Sequence, residues 1–383
     1  MRRRSFLVGS LVLATVLTGT FGAMMLTLPA TSASATPVAI DADETAATIA
    51  ALKPPKRTRP VVAIIGANDG TETTDYLIPY GVLKRADVAD VYALGTQSGA
   101  IEMMPALKIL PNASSAEFDA KYPDGADYVI VPAMHRSDDS ATIAWTKKQA
   151  SHGAIIIGIC TGAKVLGFAG LLDGRRATTH WYDLSGIQKQ NPSMQHVSNR
   201  RFVVDRGVAT TTGVTASVPM SLTLVEAIAG HERAAEVAKD LGVDHWDARH
   251  DSSAFRTTRG FYRAAIGNTV AFWAHEKLGL GVETGVDEIA LGLTADAWSR
   301  TYRSSALTIA SSSAPVFTKG GIGIVPDRIV PTGKIKHMLP AISSVEPVKA
   351  LDKALTDIAA RYGQRTREFV ALQLEYPSAV QAR

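Results

Sequence analysis

Short apolar runs alternate with segments of helical period through the middle of the chain. Val61 to Ile65 reads as a buried strand, Tyr76 to Arg85 as a helix and Val88 to Leu94 as a second strand. The alternation continues with a strand over Tyr128 to Val131, a helix over Ala141 to Ala150, a strand over Ala154 to Ile159 and a helix over Ala163 to Ala169. Continuous apolar strands separated by helices predict an α/β architecture, a doubly wound and mostly parallel sheet covered on both faces. From Thr215 to about Leu241 the pattern is helical and closes the sheet domain. Beyond Gly242 it weakens. Phe261 to Lys277 reads as a helix, Leu307 to Ile309 with Ile322 to Val325 as a strand pair around Gly320-Gly321, and Pro347 to Leu374 as one long amphipathic helix. The expected division is an export signal over 1–35, a linker over 36–59, the sheet domain over 60–242 and an α-rich C-terminal extension over 243–383.

The 383 residues are 46% apolar and 20% charged, the balance of a folded protein with a large core. The N-terminus changes this picture. Arg2, Arg3 and Arg4 precede an apolar stretch from Phe6 to Leu28 and then Ala33-Ser34-Ala35, an A-x-A cleavage pattern, and Arg3-Arg4-Ser5-Phe6-Leu7 fits the twin-arginine pattern. The same stretch, left uncleaved, is long enough to anchor the chain in a bilayer. Either way the folded part is expected outside the cytoplasm, exported to the periplasm or beyond. Removing those three arginines lowers the formal charge from +4 to +1, without the clustered Lys and Arg that nucleic acid requires, so no nucleic-acid partner is expected. No phosphate loop or dinucleotide fingerprint is present, and no cofactor is expected. The chain has a single cysteine, Cys160, so no internal disulfide framework supports the fold.

That cysteine lies in Gly158-Ile159-Cys160-Thr161-Gly162, a G-x-C-x-G nucleophile elbow between a strand and a helix. Small residues on both sides allow a strained turn that lifts the side chain above the sheet. There the start of the following helix favours a thiolate and the Thr161 N–H faces a developing oxyanion. The alternative is a small buried hydrophobe. His245, Asp247, His250 and Asp251 form the one cluster with metal-ligand character, against the reading of a solvated polar loop, and no metal is expected.

The run from Gly158 to Ala163, continuing through Ala169-Gly170-Leu171-Leu172-Asp173-Gly174-Arg175-Arg176-Ala177-Thr178-Thr179-His180-Trp181, resembles the nucleophile segment of the ThiJ/PfpI family, which has the class I glutamine-amidotransferase-like, flavodoxin-like fold. Within that family the C-T-G and A-T-T-H-W pieces are most similar to isocyanide hydratase and to the sensor domains of AraC-type regulators. The resemblance covers about residues 60 to 242. It implies that Asp75 is the acid paired with Cys160, that Thr161 completes the catalytic set and that His180 orients the thiolate or shuttles protons. Asp75 alternatively caps the helix beginning beside it, with Glu72 as the reserve acid, and His180 alternatively is a core histidine satisfied by backbone. The chain departs from the family in the loop Pro132-Ala133-Met134-His135, where relatives read P-G-G and supply a second oxyanion N–H. Ala133, Met134, His135 and Gly162 are the expected substrate-binding residues.

These readings lead to two functions. The first is an exported cysteine-dependent hydratase or hydrolase acting on a small electrophile. The second is a non-catalytic ligand or redox sensor, supported by the readiness of an exposed thiolate to be oxidised. A homodimer is expected from the habit of the family.

Overall fold

The computed structural model describes residues 25–29, 36–330, 335, 337–342 and 346–377. Apart from residues 25–29, the expected export signal lies outside the described residues. Among the described residues no helix is long and apolar enough to cross a membrane.

The expected linker instead carries helix α1, Ala42–Ala51, capped by Asp41, whose carboxylate accepts from the Asp43 N–H. Its Ala-rich sequence is intrinsically helical, and the residue that ends it, Leu52, is completely buried and accepts a hydrogen bond from the Tyr128 hydroxyl.

Strands β1 (Val61–Gly66), β2 (Asp90–Gly95), β3 (Ala113–Ser114), β4 (Tyr128–Val131), β5 (Ile155–Gly158), β6 (Phe202–Asp205) and β7 (Val208–Thr211) form one seven-stranded sheet in the order β6-β7-β5-β4-β1-β2-β3. Every pairing is parallel except the β6–β7 hairpin at the edge. Its two-residue turn, Arg206-Gly207, takes positive φ at both positions (48° and 76°), as a hairpin turn matching the strand twist requires. β1, β4 and β5 are buried along their whole lengths, which explains their unbroken apolar sequences.

Helices α2 (Thr73–Ala86), α3 (Ser140–Ser151) and α4 (Gly162–Phe168) follow β1, β4 and β5. The helical stretch after Thr215 is two helices, α5 (Ser217–Ala229) and α6 (His231–Leu241), separated by Gly230 at φ 88°. Two separate apolar clusters form the core, and the larger runs from the sheet domain into the C-terminal residues without a break.

The C-terminal region departs most from expectation. Helix α7 ends at Val270 (Arg259–Val270), and Glu276 and Lys277 belong to strand β8, Glu276–Gly281. β8, helix α8 (Glu288–Ser299) and β9 (Ser304–Ala310) make a parallel βαβ unit inside a second, four-stranded sheet. The extension is α-rich, as expected, and β8 and β9 add a parallel sheet to its helices. Leu307 to Ile309 does not pair with Ile322 to Val325. Gly323–Ile324 pairs instead with Lys108–Leu110 of the sheet domain. The long helix is two, α9 (Lys349–Tyr362) and α10 (Gln364–Gln373), broken at Gly363 with φ 86°. α8 lies directly on α2, and the approach is close at Gly81, where a Cβ would come within 2.6 Å of Ile289.

Candidate functional site

The carboxyl ends of β1, β4, β5 and β7 converge, and the candidate residues are found in the loops that leave them, the position where open parallel sheets hold their ligand sites. Cys160 follows β5 at φ 56°, a left-handed conformation that costs a residue with a side chain roughly 1–3 kcal/mol. The backbone around it fixes that strain. The Cys160 N–H donates to Thr211 Oγ1 at 3.0 Å, and Thr179 Oγ1 donates to the Cys160 carbonyl at 3.1 Å. Of the flanking glycines, Gly162 is required sterically and Gly158 sits in a tight space. A Cβ on Gly162 would lie 2.0 Å from the Val131 carbonyl oxygen, and one on Gly158 3.1 Å from the Ala163 nitrogen. The strand-to-helix turn is thus an elbow with the cysteine at its apex.

Asp75 lies in the first turn of α2 but does not cap it. Glu72 does, accepting from the Asp75 N–H at 2.5 Å and from the Thr74 hydroxyl. This frees the Asp75 carboxyl to point inward. It is completely buried, its Oδ2 accepts from the Ala133 N–H at 3.1 Å, and its Oδ1 has no hydrogen-bond partner among the described residues. The Ala133 N–H, expected to bind substrate and lying in the loop that supplies a second oxyanion donor in relatives, is therefore spent on positioning the acid. Met134 is buried and bridges to Thr71, while His135 lies on the exposed outer side of the loop, its N–H donating to the Gly70 carbonyl. His135 is not part of the site.

The electrostatics run against a preformed thiolate. Cys160 is 7% exposed, and burial, followed by the charges of Asp75, Glu72 and Glu375, pushes its thiol well above the usual range, against the opposing pull of the Thr161 N–H. The short helix α4 does not offset that desolvation. Burial, then Glu72, likewise holds the Asp75 carboxyl well above the usual carboxylate range, against the opposing pull of the Ala133 N–H and Arg300. The Asp75 carboxyl, with one oxygen free of hydrogen bonds, lies close enough to Cys160 for its charge to disfavour the thiolate.

The C-terminal region supplies the rest of the site, and no local pattern marked it. Arg300, at the end of α8, donates from Nη2 to Glu72 Oε1 and from Nε to Asp296 Oδ2, both at 2.7 Å. Burial pushes the carboxyl of Asp296 up to about 7 despite the arginine beside it, and its Oδ1 is also buried without a partner. After α10 the chain turns sharply at Glu375, φ 50°, and inserts that carboxylate into the sheet domain. Its two oxygens accept from the Trp181 N–H and the Gly213 N–H, each at 2.8 Å, and His250 Nε2 approaches to 3.6 Å. Gly213 leaves room for it, since a Cβ there would meet the Glu375 side chain at 2.8 Å.

His180 is held on the same side. The Tyr182 N–H donates to Nδ1 at 3.2 Å, which leaves the proton on Nε2, and Nε2 donates to the Gln373 carbonyl at 3.0 Å. Both ring nitrogens are bonded to backbone, and neither is free to shuttle a proton. His245, Asp247, His250 and Asp251 do not converge: Asp247 pairs with Arg249, and His250 stacks on Phe255.

A cavity of about 620 Å³ lies alongside, lined in part by Ile78, Arg201, Val214, Leu293 and Tyr376. Ile78 is one turn beyond Asp75, and Tyr376 follows Glu375. A second cavity of about 620 Å³, between α1 and the β6 edge and lined by Glu226, His231 and Trp246, contains none of the expected site residues.

Among known proteins, the DJ-1/PfpI family profile matches residues 61–227. The HTH-type transcriptional regulator CdhR of Pseudomonas aeruginosa is 34% identical over 116 residues, 30% of this chain and 34% of that protein. Isonitrile hydratase of Pseudomonas putida is 36% identical over 106 residues, 27% of this chain and 44% of that protein. The chain therefore spans less than half the length of these two curated relatives. The crystal structure of Drosophila melanogaster DJ-1beta is similar with a TM-score of 0.44 at 26% identity, covering 49% of this chain and all of that one. With the elbow cysteine at the end of β5 and the mostly parallel sheet beneath it, residues 61–227 are a DJ-1/PfpI family domain.

Proposed function

We propose that this protein carries out thiol addition chemistry on a small electrophile at Cys160, with Asp75 as the proton donor. The observation that carries the reading is the buried, unpartnered Oδ1 of Asp75 beside a strained cysteine whose charged form is disfavoured. A nucleophile and an acid that are both neutral suit a net addition of S–H to an electrophilic carbon.

The relative named an isonitrile hydratase directs the choice of first substrate class. Addition to an isonitrile balances as follows. Asp75 gives its proton to the terminal carbon and the sulfur bonds to that carbon. The thiol proton restores Asp75, leaving a thioimidate. Water then adds to the same carbon, its proton passing to nitrogen, and collapse returns the thiol and releases a formamide. The Thr161 N–H, next to the sulfur, steadies charge on it while the bond forms and breaks. Arg300 positions Glu72 and so keeps the cap of α2, and with it Asp75, in place.

A second reading, a non-catalytic ligand sensor, is favoured by the closed state of the site, with Cys160 7% exposed; the same burial weakens a redox role, which needs an exposed thiolate. A panel of alkyl isonitriles, assayed for formamide release by the native chain, Cys160→Ser and Asp75→Asn, separates the two. Turnover lost in both variants supports addition chemistry. Alkylation of Cys160 without turnover of any compound supports the sensor.

A further inference from the structure

Helix α7 is two-sided. Its inward side carries Ala264 and Asn268, both buried, with Asn268 bonded to the Thr301 carbonyl and Phe261 packed 5.0 Å from the ring of Phe369. Its outward side carries Arg263, Ile266, Gly267 and Val270, spaced three and four apart so that they form one stripe, and the chain continues into Phe272 and Trp273. Ile266 and Val270 are apolar on a face whose other exposed residues are Arg263, Gly267 and Thr269. Ile266 is 43% exposed and Val270 56%. Phe272 at 73% and Trp273 at 76% are the most exposed aromatic side chains among the described residues. The two rings meet edge to face at 5.2 Å and cover one another only in part. Exposed Arg263 lies on the same stripe and exposed Lys277 follows Trp273 by four residues, whereas the neighbouring Glu276 is engaged by Arg361.

The other end of this helix is tied to the N-terminal apolar stretch. The Arg259 N–H donates to the Pro29 carbonyl at 3.0 Å and its Nε to the Leu28 carbonyl at 2.9 Å. Leu28 is the last residue of the apolar run that begins at Phe6, and Arg2, Arg3 and Arg4 precede that run. The run is long and apolar enough to cross the ~30 Å hydrocarbon core of a bilayer, and its preceding arginines would stay on the cytoplasmic side. α7 has 12 residues, about 18 Å at the usual rise, so the aromatic pair is within a short reach of the point where the chain would leave the membrane.

We propose that the outward face of α7 with Phe272 and Trp273 lies on the outer surface of a lipid bilayer to which the uncleaved stretch Phe6 to Leu28 anchors the chain. Tryptophan and phenylalanine at the headgroup level, with a basic fringe facing anionic lipid, are the chemistry of an interfacial helix. The anchor supplies the local concentration that a patch of this size needs. The inference is independent of the chemistry at Cys160.

The test is tryptophan quenching of the full chain reconstituted in vesicles of phosphatidylcholine and phosphatidylglycerol, with bromine placed near the headgroup end of the acyl chains. The native chain is expected to lose emission to the brominated lipid and to gain protection from aqueous iodide, and Trp273→Phe, a change at an exposed position, to lose both effects while keeping its melting temperature. Three results overturn the proposal. One is iodide quenching of Trp273 that is the same with and without vesicles. Another is protection that rises with protein concentration in the absence of lipid, which assigns the face to a second copy. The last is a mature chain whose mass lacks residues 25–29.

Discussion

Replacing Asp75 by asparagine separates its chemical role from its structural one. The side chain is completely buried, with Oδ2 bonded to the Ala133 N–H and Oδ1 without a partner. Asparagine has the same shape. Its amide oxygen can keep the Ala133 bond and its NH2 group can take the place of the protonated oxygen, but it has no proton to give. Loss of a positioned acid lowers kcat by roughly 10²–10⁴-fold with little change in KM. Stability should move the other way. The folded carboxyl holds its proton to higher pH than the unfolded one, so its stabilisation is complete below the ordinary carboxylate pKa and is lost as pH rises through the raised folded value. Each unit of that displacement is worth about 1.4 kcal/mol. The variant should therefore melt at a higher temperature than the native chain near neutral pH and show a flatter dependence of melting temperature on pH, with the residual slope coming from Asp296, which is pushed up to about 7. Thermal melts at several pH values and formamide release by the same preparations measure both effects. Native kcat in the variant, or pH profiles of melting that run parallel, would refute the assignment of Asp75.

Glu375→Gln removes one of the charges that raise the Cys160 thiol and loosens the turn beside it, so iodoacetamide should label Cys160 several-fold faster at pH 8 than in the native chain; equal rates would show that the turn does not restrain the site. Native labelling itself should rise only at alkaline pH, because burial and the surrounding carboxylates hold the thiol up, and a plateau reached below neutrality would contradict that environment. Arg300→Met leaves Glu72 and Asp296 buried without their cation and should cost about 3–5 kcal/mol in denaturant melts, with activity falling further as the cap of α2 is disturbed. Leu52→Ala should cost about 2–5 kcal/mol, the usual loss for a completely buried leucine, whereas a residue of a mere linker would lose nothing.

The sheet was legible because its strands are buried on both sides and so are written as unbroken apolar runs, and the elbow was legible because a backbone passing 2.0 Å from where a Cβ would be leaves glycine as the residue that fits at 162. Helix α1 had a readable signal in Asp41 followed by an Ala-rich stretch, but its short length and the flanking prolines suggest a linker. The C-terminal region was less legible for two reasons. β8 and β9 pair with one another across an intervening helix, and Gly323–Ile324 pairs with a segment more than two hundred residues earlier; neither partnership is encoded locally. Amphipathic period also runs through Gly363 as if the helix were continuous, and it is the positive φ there, not the pattern, that splits α9 from α10. Arg300 and Glu375 belong to this same class. Each is an ordinary charged residue in its own segment and becomes part of the site only because α8 packs on α2 and the chain after α10 returns to Gly213.

The central claim is that the Cys160 sulfur forms a bond to substrate while Asp75 supplies the proton. Rapid-quench mass spectrometry of the chain mixed with an alkyl isonitrile tests it most directly. The account predicts a transient mass increase equal to one isonitrile on the peptide containing Cys160, rising and decaying ahead of formamide release in the native chain, formed far more slowly in Asp75→Asn and absent in Cys160→Ser. Formamide released at the native rate by Cys160→Ser would contradict it.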